Sequence, residues 1–181
     1  MEKQKLEEAA VAAGASKAAV IPQSKIVTSA EFRTICESNQ CGNYGRCWKC
    51  PPEIGPIDEL MAEVKKYNWG LLYQTIRPLE DSYDVEGMFE AGKNHARVSQ
   101  AVGKAVVPFL TGPVLHLSCG GCNLCDVCAK KTNEPCRHPD KALAPMEGYG
   151  INVHDTVEGT PLKYINGQNT VTYFGIVLFN E

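Results

Sequence analysis

The sequence predicts a mixed α/β (or α+β) fold in which a small mixed sheet is flanked by helices and carries two cysteine-rich loops that converge on one site. Three observations carry that expectation. Helix-like and strand-like apolar patterns alternate along the chain. The closing stretch 171–179, Val-Thr-Tyr-Phe-Gly-Ile-Val-Leu-Phe, is too uniformly apolar to have a wet face and belongs in the middle of a sheet. The nine cysteines fall in turn-rich segments, 36–52 and 119–139, whose small and polar residues cannot build a core of their own. With 181 residues and no internal repeat or low-complexity linker, the chain is expected to form a single domain spanning 1–181.

Each element has a local reason. Residues 3–13 are rich in Glu, Leu and Ala and stop at Gly14, which predicts a helix. The short run 18–21, closed by Pro22, predicts a strand. Thr28-Ser-Ala-Glu31 has capping-box spacing and predicts a helix with Phe32, Ile35 and Cys36 on one side. After Cys50, the pair Pro51-Pro52 predicts extended backbone. Pro56, with Asp58 and Glu59 behind it, opens a helix through Leu60, Met61, Val64 and Tyr67. Residues 70–76 read as a buried strand ended by Pro78, and 83–107 as a long amphipathic helix with a bend at Gly92 or Gly103. The run 114–117 is a strand that delivers the chain into the second cysteine segment, and 144–153 predicts a helical turn, a glycine break and a second short helix.

Composition narrows the function classes. Hydrophobic residues at 44% and charged residues at 22% are ordinary globular values. A net charge of −3 and a pI near 5.8 argue against a general nucleic-acid surface. The opening residues lack the apolar core of a secretory signal and no apolar run reaches membrane-spanning length, so a soluble cytoplasmic protein without membrane contact is expected. In that reducing setting an odd number of cysteines predicts metal binding rather than disulfides.

The spacing then says which metal chemistry. The run Cys119-Gly-Gly-Cys122-Asn-Leu-Cys125-Asp-Val-Cys128, followed by Cys136-Arg-His-Pro139, matches the ferredoxin-type run that wraps iron–sulfur cubanes. Zinc is the alternative, although one tetrahedral ion has no place for a third cysteine in the same register. Cys36, Cys41, Cys47 and Cys50 form the second group, in a turn-rich stretch with Gly42 and Gly45. Nine thiols permit one or two 4Fe-4S clusters. In one partition Cys122, Cys125 and Cys128 hold a cluster while Cys136 reaches a second one on Cys36, Cys41 and Cys50; in the simpler partition Cys122, Cys125, Cys128 and Cys136 hold a single cluster.

The string Cys36-x4-Cys41-x2-Tyr44-Gly45-x4-Cys50-Pro-Pro, with Cys122-x2-Cys125-x2-Cys128-x7-Cys136-Arg-His-Pro and Met146-Glu-x-Tyr-Gly-Ile-x-Val153, resembles the prokaryotic predicted metal-binding protein family, domain of unknown function 2284. The resemblance runs over most of the chain. It implies metal binding, with iron–sulfur as the expected form, in a cytoplasmic protein common among anaerobes, and it carries no settled activity. By that pattern Cys36, Cys41, Cys50, Cys122, Cys125, Cys128 and Cys136 are shared and Cys47 and Cys119 are additions. The shared set suggests one four-thiolate and one three-thiolate site.

Other residues say less. Tyr44 and Trp48 flank the first group and either shield a cluster or pack a turn; Arg46, Lys49 and Arg137 either offset thiolate charge or are solvated. His138, beside Pro139, reads as structural, with ligation as its alternative. His116 reads as a hydrogen-bonded core histidine, and His95 and His154 as surface ones. Gly148-Tyr-Gly150 lacks a dinucleotide-site context, and no P-loop or Ser-His-Asp arrangement is present. No catalytic acid or base can be named. The expected function is one-electron transfer, or a redox accessory role, with a redox partner protein. The rivals are a cluster-dependent reductase with an open iron and a zinc-binding structural module.

Overall fold

In the computed structural model, which describes residues 3–181, the apolar closing stretch is the central strand, and the other elements assemble around it. In chain order the elements are α1 (Lys3–Ala12), β1 (Lys17–Pro22), α2 (Glu31–Glu37), α3 (Ile57–Val64), β2 (Trp69–Pro78), α4 (Val85–Val106), β3 (Leu115–Ser118), β4 (Ala144–Pro145), α5 (Val153–Val157) and β5 (Thr170–Phe179). The strands form one mixed sheet in the order β1-β2-β5-β3-β4. All neighbours are antiparallel except β3 and β4.

Successive residues of a strand face opposite sides, so each strand contributes to two cores. Ala19, Ile21, Leu72, Phe174, Ile176 and Leu178 face one side, where Leu60 and Val64 of α3, Met146, Tyr149 and Val157 cover them. Leu71, Tyr73, Val177 and Phe179 face the other, beneath Leu6 and Ala10 of α1 and Val98, Val102 and Val106 of α4. Two glycines make this packing possible. A Cβ at Gly175 would overlap the Tyr73 ring, its cross-strand neighbour, and one at Gly103 would lie 2.9 Å from Nδ1 of His116.

A polar seam runs between α4 and the sheet. Tyr73 Oη and His116 Nε2 are 2.8 Å apart, as are Thr75 Oγ1 and His95 Nδ1. His95 Nε2 donates to the Phe174 carbonyl at 3.0 Å, which leaves Nδ1 to accept from Thr75. Burial pushes the pKa of both histidines down to about 4. His95, expected at the surface, is thus only 1% exposed: it follows Ala91 in the inward stripe of α4, and its two hydrogen bonds satisfy the ring there.

Three local expectations also change. Thr28 does not cap α2, because its backbone pairs with Ile151 in an isolated bridge; Ser29 Oγ accepts from the Glu31 N–H at 3.2 Å instead. Pro51-Pro52 is not extended: the bond is cis and lies in a turn closed by the Glu53 N–H to the Cys50 carbonyl at 3.0 Å. The long helix runs unbroken through Gly92 and Gly103. Among the described residues, no helix is long and apolar enough to cross a membrane.

Candidate metal centre

The second cysteine segment is the connection between two adjacent parallel strands, leaving the sheet at Ser118 and returning at Ala144. Too polar to pack as a core, it is tied down by specific bonds. Arg137 donates to the Val127 carbonyl at 2.9 Å, and a turn over Ala129–Thr132 ends in left-handed Asn133. The first cysteine loop clasps it: Trp48 Nε1 donates to the Glu134 carbonyl at 2.8 Å, and Lys130 pairs with Glu53 at 2.9 Å.

Five thiols, from Cys47, Cys122, Cys125, Cys128 and Cys136, line one tight recess of about 20 Å³, with Lys49 and His138 at its edge. Cys47 is buried there beside Cys50. The neighbouring Cys50 thiol, with the backbone N–H groups of Lys49 and Cys122 and the Cys128 thiol, favours the Cys47 thiolate against the cost of burial and holds its pKa down to about 5. The same contact, together with burial, pushes Cys50 up. Burial also raises Cys122.

Three thiols, from Cys36, Cys41 and Cys50, line a second recess of about 190 Å³. Cys36 comes from the last turn of α2, and Cys41 from the bend between left-handed Asn39 and Gly42. Cys50 comes from the proline turn. The remaining wall includes Tyr44 and Glu147, the latter on the 3₁₀ turn Met146–Tyr149. Burial raises the Cys36 thiol, and the charges of Cys41 and Glu147 raise it further. Burial also raises the Glu147 carboxyl, opposed by its own backbone N–H and that of Gly120, and Glu147 Oε2 is buried without a hydrogen-bond partner. Cys119 lines neither recess. It faces a cavity of about 670 Å³ that Cys41 and Glu147 also border.

The donors fit a thiolate-bound metal. All nine cysteines are free thiols, and soft sulfur donors select zinc, copper(I) or iron–sulfur clusters. Among the described residues, the one group of three His, Cys, Asp or Glu ligand atoms that all lie within 4.8 Å of one another is the exposed trio His154, Asp155 and Glu158. No three cysteine sulfurs among the described residues all lie within 4.8 Å of one another.

A family model described as "Predicted metal-binding protein (DUF2284)" matches residues 19–179. The chain belongs to that family. No curated protein and no solved structure matches it. In this DUF2284 chain Cys136 lines the same recess as Cys122, Cys125 and Cys128, apart from Cys36, Cys41 and Cys50. Cys47 joins the first set as a fifth sulfur. Lys49 and Arg137 both line the five-thiol recess, Arg137 also donating to the Val127 carbonyl and pairing with Glu134, whereas Arg46 is exposed. Sequence reasoning passed over Glu147. Its signal was present: a lone acid in the otherwise apolar and small stretch Pro145-Met-Glu-Gly-Tyr-Gly-Ile151.

Proposed function

We propose that the chain is an iron–sulfur protein with two 4Fe-4S sites, serving one-electron transfer to and from a redox partner protein in the cytoplasm. Cys122, Cys125, Cys128 and Cys136 would hold one cluster, and Cys36, Cys41 and Cys50 most of the other. Bound there, such clusters supply one-electron oxidation and reduction at potentials set by burial and by hydrogen bonds to sulfur. The chain's own residues set those conditions. Trp48 and the Lys130–Glu53 pair hold the two loops together, Lys49 places positive charge at the five-thiol recess, and the Cys47–Cys50 contact sets the two recesses side by side.

The observation that carries this reading is the grouping of the sulfurs: eight free thiols line two adjoining recesses, twice what one tetrahedral zinc ion takes. The test is metal and sulfide analysis of protein purified without oxygen. Two cubanes give about eight iron and eight sulfide per chain, and brown protein. Stoichiometric zinc without sulfide would overturn the reading in favour of a structural zinc module. A cluster-dependent reductase is the second reading, favoured by the one recess that has three thiols rather than four.

A further inference from the structure

At the three-thiol recess the donor set is short by one, and the acidic group on its wall is a carboxylate with an idle oxygen. Glu147 Oε2 is buried and accepts no hydrogen bond, a state that costs free energy unless a proton, a donor or a cation completes it. Arg33, whose charge is felt at Cys36, does not play that part. Its terminal N–H groups go to the Gly55 and Gly148 carbonyls, and although its Nε, like Glu147 Oε2, is buried without a partner, it forms no ion pair with Glu147 among the described residues.

Glu147 also stands on a thin wall. Cys41, Asn43, Gly120, Gly121 and Glu147 border both the three-thiol recess and the 670 Å³ cavity. The wall is thin because Gly121 lets Asn43 close in: a Cβ there would lie 2.7 Å from Asn43 Nδ2. The cavity has the size of a small-molecule site. On its far side Tyr164 stacks on Phe174 at 5.9 Å and 11°, beside Tyr173, while Gln40 and Asn123 offer amides. The five-thiol recess has no comparable space and more sulfurs than one cluster uses.

We propose that Glu147 is the fourth, oxygen donor of the three-thiol site, and that the adjoining cavity admits a planar, polar-edged small molecule to the same metal atom. This rests on the iron–sulfur reading above. A carboxylate is a harder donor than a thiolate and suits iron–sulfur less well, so it marks the iron at which another oxygen or nitrogen donor can compete.

The full-length chain, loaded anaerobically, tests both halves, with cyanide as the small-ligand probe. Expected is the loss of about one iron in eight from Glu147→Gln and Glu147→Ala, full iron with a shifted paramagnetic resonance spectrum in Glu147→Cys, and loss of about half the iron in the control Cys36→Ser. Cyanide should perturb one of two cluster signals in the wild type and neither in Glu147→Cys. Full iron and an unchanged spectrum in Glu147→Gln, which keeps the side chain's volume should the alanine variant misfold, would overturn the ligand assignment. Cyanide acting on both signals or on neither would overturn the access route. Wild-type protein without iron and sulfide would instead sink the iron–sulfur reading itself.

Discussion

The two thiol recesses share the Cys47–Cys50 contact and little else. The five-thiol recess is built mainly from one continuous run at regular spacing, closed by Cys47, and leaves almost no free volume. The three-thiol recess is assembled from a helix end, a bend and a proline turn, and it borders a cavity more than thirty times as large as the other recess (about 670 against about 20 Å³). A regular run can surround its guest completely. A site gathered from separate elements leaves a side open, and here that side holds an acid and a space.

The sharpest way to break the comparison is Cys125→Ser. It removes a central thiol of the run on which the 119–139 loop depends, so the expected result is loss of about half the iron together with a lower melting temperature, read by metal analysis and thermal denaturation. Cys41→Ser should also cost about half the iron but leave the melting temperature nearer to wild type, because the bend it occupies is exposed and little else packs on it. A third measurement separates the recesses from the sheet beneath them. His95 and His116 have pKa values pushed down to about 4, below the roughly 6.5 of an unfolded chain. Between those values the unfolded state binds protons that the folded state does not. Stability is therefore complete above about pH 6.5 and falls toward pH 4, by on the order of 2–3 kcal/mol per histidine. Urea unfolding of wild type and His95→Gln across that range should show a shallower fall in the variant. The smallest effect is expected from Cys47→Ser: with four other sulfurs in its recess, iron content should hold, and a loss equal to that of Cys125→Ser would make Cys47 a ligand.

The fold was legible where periodicity is strong. The apolar run that became β5, the Gly14 stop, the Pro56 helix start and the stripe of α4 each announce themselves locally. What escaped depends on partners distant in sequence. Thr28 lost its capping role to backbone pairing with Ile151, the two-residue strand Ala144–Pro145 exists only through β3, and His95 is buried because Thr75 and Phe174 happen to satisfy it. The site divides in the same way. Regular cysteine spacing singled out the thiols as candidates, but which of them share a recess, and that Glu147 lines one with three of them, follows from loops meeting in space.

The clasp between the two cysteine loops carries an optical consequence. The chain has two tryptophans. Trp48 bridges the loops through the Glu134 carbonyl with the Lys130 ammonium 4.4 Å above its ring, whereas Trp69 sits on the sheet under Lys3. Fluorescence from Trp48 should be quenched as the centre fills and recover as the loops part, with Trp69 as a steady internal reference, so the protein carries its own dye for watching the assembly of its metal site in real time.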